Sequence, residues 1–265
     1  VSSGQDYKDA TKMIGMMDQN GLGMPDRDYY LKDDADKKEL RDKYVAHVER
    51  MFKLANVASP KKAAADVLRI ETELARLSKS REERRDPAKM YNKLDRAGLE
   101  AAAPTIDWPR YFAALGFPDL VELSVTSPSY FSGAAKLLSG EKPQAVQSYL
   151  IWQVLHATAP TLGKQLEDEA FSFTQAVTGQ KVNRDRWKRC IEATDSALGE
   201  LLAQPFVELR FAGDSKTAAE SYVRAIAAAM GERLDTLEWM DAPTRAAAHK
   251  KLDAMAYLIG YPAKY

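Results

Sequence analysis

The chain has 265 residues, 45% of them hydrophobic, which is long enough to bury a sizeable core and too apolar for a disordered chain. Lys and Arg together number 38 and Asp and Glu also 38, so no net field favours nucleic acid or an anionic membrane. No apolar run approaches the roughly 20 residues that span a bilayer, and Cys190, the single cysteine, excludes an internal disulfide.

The opening Val1-Ser2-Ser3-Gly4 has no basic patch followed by an apolar stretch, so no targeting segment is expected in this sequence. The first distinctive stretch is GLGMPDRDYY, residues 21–30. Gly21 and Gly23 permit positive φ, and Pro25 fixes its own φ and biases Met24 towards extended backbone. This segment reads as a shaped crossing, neither linker nor helix, that other elements must pack and hydrogen-bond. It is not a dinucleotide loop, because GxGxxG would require glycine at Asp26 and a strand before Gly21.

Helical signals follow. Between Asp34 and Ala58, Tyr44, Val48, Met51, Phe52 and Ala55 recur at helical spacing. Ser59-Pro60 reads as an N-cap followed by proline in the first turn. The stripe Val67, Ile70, Leu74, Leu77 marks a helix packed in the protein's own core. The mixed run from Lys79 to Asp86 reads as a solvated turn whose arginines, Arg84 or Arg85 among them, pair with nearby carboxylates. Asp86-Pro87 opens a short helix, and Asp107-Trp108-Pro109 another that Gly116 ends. Val121 to Val125 alternates and is the best strand candidate. Ser127-Pro128 starts a helix stopped near Gly140. Long helical patterns cover 142–159, 160–178, 183–202, 215–239 and 242–258, with Asp241 as the last cap signal. The expected fold class is all-α, with at most a short β element near 120–126, as one assembly over 1–265 without internal repeats.

The chemistry is sparse. His47, His156 and His249 include no HExxH pattern, which would place two zinc-binding imidazoles on one helix face with a glutamate base between them. His156 falls in an apolar helical run and reads as a core or boundary residue, whereas His47 and His249 sit among charges on expected exposed faces. Cys190 has basic neighbours, yet its spacing from Trp187, Ile191 and Thr194 suits a half-buried packing thiol, and it has no histidine nearby in sequence. No GxSxG elbow occurs. The residues by themselves contain no recognisable catalytic centre.

Eight stretches nevertheless occur in a familiar order: GLGMPDRDYYL (21–31), VLRIETELA (67–75), RRDPAKMYNK (84–93), IDWPRYF (106–112), RWKRC (186–190), VELRFAGDSK (207–216), LEWMDAPTRAAAHKKL (237–252) and IGYPAKY (259–265). In that order they resemble the neprilysin-like zinc metalloendopeptidases, over essentially the whole chain. The resemblance implies a large N-terminal helical lobe that closes over a thermolysin-like lobe, leaving a cavity that admits oligopeptides and excludes folded proteins. It places the HExxH and ExxxD zinc ligands and the Asn-Ala-aromatic substrate motif beyond the IGYP stretch, and a substrate-carboxylate arginine before the glycine-containing crossing. No catalytic, zinc or established substrate residue of the family can therefore be carried onto a position here, and the substrate-binding residues of this chain stay unassigned. Zinc is expected in the intact parent enzyme and not on this chain.

What the resemblance carries over is structural: Gly21, Gly23, Pro25, Arg27, Asp28 and Tyr29 match the family's shaped crossing. Cys190 matches a position that, in animal relatives, bonds a cysteine of the catalytic lobe. Met24 replaces the commoner leucine, a volume-conserving change, and Ala263 and Tyr265 stand where the family often has Asp and Trp. The implied partners are oligopeptide substrates and the catalytic lobe, and the implied location is periplasmic or secreted rather than cytoplasmic. This chain alone is expected to be inactive, and to expose apolar surface meant for the other lobe. The rival reading is a stand-alone helical peptide-binding or scaffold protein.

Overall fold

The computed structural model describes residues 1–262 and 264; Ala263 and Tyr265 lie outside the described residues. The chain divides into two compact units, Val1–Val182 and Asn183–Tyr265.

The first unit opens with a hairpin of β1 (Ser2–Asp6) and β2 (Asp9–Met17), followed by the crossing and a single helical turn, α1 (Asp28–Leu31). Two long helices come next, α2 (Ala35–Leu54) and α3 (Pro60–Leu77). Short elements follow: α4 (Pro87–Met90), β3 (Lys93–Asp95), α5 (Arg96–Ala102), α6 (Trp108–Ala114) and β4 (Glu122–Val125). The unit closes with α7 (Pro128–Gly140), α8 (Pro143–Thr158) and α9 (Lys164–Thr178). The expected cap signals hold where an aspartate supplies them: Asp86 and Asp107 each accept backbone N–H groups of the first turn, and Asp95, which was not expected as a cap, does the same for α5. Ser59 stands at its cap position in a left-handed conformation without such a bond. Gly116, at φ +81°, lies just beyond the end of α6.

Helices dominate, as expected, but the β structure is larger than one element near 120–126. Four strands form a sheet in the order β1-β2-β4-β3, with β2 and β4 parallel through Gly15↔Leu123 and Met17↔Val125 and the other pairs antiparallel. The hairpin escapes a periodicity search because β1 is mostly polar, and because Ile14, Gly15 and Met17 are all covered near the end of β2, which removes the alternation. The crossing also differs from expectation in ending as one turn of helix, α1.

Three apolar clusters hold this unit. Tyr44, Val48, Met51 and Phe52 of α2 meet Ala64 and Val67 of α3, Trp152 of α8 and Phe173 of α9. A second cluster packs Leu123 and Val125 against Leu99, Trp108, Phe112 and Ala135. A third joins Ile70 and Leu74 to Tyr130, Ala145 and Tyr149. The α3 stripe is thus buried inside the protein, as its spacing predicts.

The second unit comprises α10 (Arg186–Arg210), α11 (Ser215–Asp235) and α12 (Ala242–Asp253). The helix expected to stop at 202 continues to 210 despite Pro205, and its regularity is broken at Leu198, φ −136°. Asp241 caps α12 by accepting the Thr244 N–H at 2.8 Å.

Candidate functional site

The crossing is threaded among α3, α7 and α8, and its backbone is bonded at almost every step. The Tyr130 hydroxyl donates to the Asn20 carbonyl. Tyr149 donates to the Gly21 carbonyl at 2.9 Å, and the Met24 N–H donates 2.8 Å to the Tyr30 hydroxyl. Gly21 has φ +96°, as anticipated, and a Cβ there would overlap the Tyr149 hydroxyl. Gly23 does not have positive φ. It is glycine because a Cβ would strike the Tyr44 hydroxyl and come within 3.1 Å of Trp152 Nε1.

Beneath this backbone lies Glu71 of α3, fully buried. Its Oε2 accepts from Tyr30 at 2.8 Å and from Tyr44 at 2.6 Å, and its Oε1 accepts from Gln153 at 3.3 Å. The direction of these bonds is fixed. The Met24 N–H donates into Tyr30, and Trp152 Nε1–H donates into Tyr44 at 2.8 Å, so both hydroxyls pass their own protons on to the carboxylate. Burial pushes the Glu71 carboxyl up to about 7, against the opposing pull of the bonds from Tyr44, Tyr30 and the Gly23 N–H. The same burial, with the charge of Glu71, raises both tyrosine hydroxyls above their ordinary range.

The remaining residues of the signature anchor its outer side. Arg27 donates 2.6 Å to the Ser78 carbonyl at the end of α3. Asp26 accepts the Asp28 N–H and pairs with Arg81, which ties the charged turn to the crossing, while Arg84 pairs with Asp18 just before it, so arginines of that turn do meet carboxylates as expected. Asp28 pairs with Lys32 at 2.7 Å, which lowers its carboxyl pKa. The Tyr29 ring carries Lys37 Nζ at 3.5 Å, and Pro25 is exposed. Pro25, Asp26, Arg27, Asp28, Arg81 and Arg84 border a cleft of about 360 Å³. The signature residues and the α3 motif, 41 positions apart at Tyr30 and Glu71, therefore form one hydrogen-bonded unit. Tyr44 was expected as a core position of its helix and Tyr30 stood within the crossing stretch, but neither was assigned this role, and Glu71, Trp152 and Gln153 were not singled out from sequence. The available signal was a carboxylate at position 71, in helical register with Val67 and Leu74 on the apolar stripe.

The histidines lie apart. His47 is buried rather than exposed: Nδ1 meets Glu169 at 2.7 Å, its ring stacks on Phe173, and burial lowers its pKa. The charges around it in sequence face away from the α2 core side, which is why reading neighbours alone misplaced it. His156 is exposed but leans on the Trp152 ring at 5.1 Å. His249 is half-buried against Asp235. Cys190 is exposed rather than half-buried, because the apolar side of α10 around it is uncovered in this unit. Among the described residues no three His, Cys, Asp or Glu side chains are grouped to hold a metal ion, so the residues present do not fit a zinc site.

Comparison with known proteins decides the family. Residues 1–262 match the N-terminal model of peptidase family M13. The chain belongs to peptidase family M13. It is 32% identical over 267 residues to endothelin-converting enzyme 1 of Bos taurus, covering 97% of this chain and 35% of that protein. Identity to the human enzyme is 31% over 266 residues, with 97% and 34% covered. The fold of the zinc metalloprotease ZMP1 of Mycobacterium tuberculosis in its open state superposes with a TM-score of 0.85 at 30% identity, over 96% of this chain and 40% of that one. PepO of Lactobacillus rhamnosus matches in fold, with a TM-score of 0.87 at 21% identity over 100% of this chain and 42% of its own. The M13 chain described here thus corresponds to the N-terminal part of the neprilysin-like peptidases and spans about a third of the length of the curated relatives it matches. No helix among the described residues is long and apolar enough to cross a membrane.

Proposed function

We propose that this M13 chain is the helical lobe of a zinc metalloendopeptidase and that its role is substrate selection by enclosure. The observation that carries this reading is the family match over 1–262, joined to a fold shared with a zinc metalloprotease at 30% identity. Closure over the catalytic part limits access to oligopeptides and excludes bulk water from the reacting bond. The zinc and its ligands belong to the part of the enzyme outside this chain, and an exported compartment goes with the same reading. The bonded cluster around Glu71 holds the crossing rigid, which such a lobe requires in order to close as a body.

The test is peptide hydrolysis by the natural-length gene product with and without a zinc chelator, beside the 265-residue chain. Chelator-sensitive cleavage by the former and none by the latter is expected. Chelator-sensitive cleavage by the 265-residue chain itself would overturn the assignment of its role.

A further inference from the structure

The buried carboxylate of Glu71 has no counter-ion. Among the described residues its bonding partners include no lysine, arginine or histidine. They arrive instead from four separate elements: Tyr30 of α1, Tyr44 of α2, Gln153 of α8 and the Gly23 N–H of the crossing. The charges on the elements packed around it are engaged elsewhere. On α3, Arg69 pairs with Glu141 and Arg76 with Glu73. Next to the crossing, Asp26 pairs with Arg81, Asp28 with Lys32, and Arg27 donates to the Ser78 carbonyl. His47 of α2 meets Glu169, His156 of α8 lies on the Trp152 ring, and burial lowers the pKa of both, so neither is charged at neutral pH. Tyr130 of α7 and Tyr149 of α8 donate to the Asn20 and Gly21 carbonyls. Ionised, Glu71 is thus held by hydrogen bonds alone and bears the cost of leaving water. Its cover is thin on one side. Gly21, Leu22 and Gly23 are half-buried, whereas Tyr44 and Trp152 of the flanking helices are fully buried. The cleft of about 360 Å³ is lined by Asn20, Leu22 and Met24 but not by Glu71, Tyr30 or Tyr44, so the crossing's backbone separates it from the carboxylate.

We infer that the proton on Glu71 is a latch for the crossing: with the proton bound the crossing is locked onto α3, and with it released the crossing opens and brings water to the carboxylate. The proton enters at Oε1, the oxygen left free by the two tyrosines, and Gln153 turns its amide so that the amide oxygen accepts it. The Gly21 carbonyl then gives up a long bond of 3.4 Å from Gln153 and keeps the 2.9 Å bond from Tyr149. In the closed state burial holds the carboxyl up at about 7, against an ordinary 4.5. The closed state therefore binds the proton more tightly than the open one, and opening is promoted as pH rises through 7. The device lies wholly within the first unit and stands independently of the peptidase reading.

The test is backbone hydrogen exchange, expressed as protection factors at pH 6 and pH 8, in the natural-length gene product and its Glu71→Gln variant. Protection over residues 21–30 is expected to fall about ten-fold from the lower to the higher pH in the wild type and to stay constant in the variant. Amides of α6, which packs in the second apolar cluster, are expected to keep their protection in both proteins. Loss shared equally by α6 would make the effect a general loss of stability and would overturn the latch. The same fall in Glu71→Gln would assign it to another group and would also overturn it. Where Glu71→Gln fails to fold, the wild type decides by sign. Protection of the crossing that is constant, or that weakens as pH falls in the manner of the buried His47, would overturn the inference.

Discussion

The hydroxyl of Tyr30 donates 2.8 Å to the carboxylate of Glu71, joining the glycine-containing crossing to the middle of α3. Since Tyr30 also accepts the Met24 N–H, removing its oxygen strands a buried backbone donor as well as a carboxylate lone pair. Tyr30→Phe should therefore destabilise the chain by about 1–3 kcal/mol, more than a typical exchanged hydrogen bond. Chemical denaturation checks this, and a change within about 0.5 kcal/mol would contradict it.

Glycine at position 23 is a packing requirement. A Cβ there displaces Tyr44 from Glu71 and presses on Trp152, so Gly23→Ala should cost about 1–3 kcal/mol or more. Gly140 closes α7 with nothing near its missing Cβ, and Gly140→Ala should be neutral or slightly stabilising. Equal costs at the two positions in thermal unfolding would refute the steric argument.

Stability should depend on pH through Glu71. Its folded pKa, about 7, lies above the ordinary 4.5, so the folded state binds this proton more tightly than the unfolded state. The contribution is fully present below pH 4.5 and is lost as pH rises through 7, with a magnitude of about 3 kcal/mol. Unfolding free energies of the wild type and Glu71→Gln, measured from pH 4.5 to 7.5, isolate this group from the buried His47, whose lowered pKa acts in the opposite sense. The wild type should lose stability relative to the variant as pH rises. A constant difference would show that Glu71 does not titrate in this range.

In the second unit, Asp241 holds the first turn of α12 through the Thr244 N–H. Asp241→Ala should weaken that helix by about 1 kcal/mol, or roughly five-fold faster amide exchange over residues 244–248. Unchanged exchange there would show that the cap contributes little.

Sequence was most informative where a side chain has a local job. Aspartates ahead of proline marked helix starts, and the α3 stripe marked its own burial. It was least informative where the partner is distant in the chain. The hairpin of β1 and β2 is fixed by pairing with β4 more than a hundred residues away, and its covered end loses the period of two. His47 is buried by Phe173 and Trp152, which lie on other helices. The bonded cluster was half visible: its two motifs stood out separately, but only the fold brings Tyr30 to Glu71.

The account's central claim, that this chain is the substrate-selecting lobe of a zinc peptidase, is tested most directly by cleavage of a short quenched-fluorescent peptide by the natural-length gene product. Activity abolished by a zinc chelator and restored by zinc, with none from the 265-residue chain and no stoichiometric zinc on it, is the predicted result. A natural product no longer than this chain and without peptidase activity would contradict the claim and leave a helical binding protein in its place.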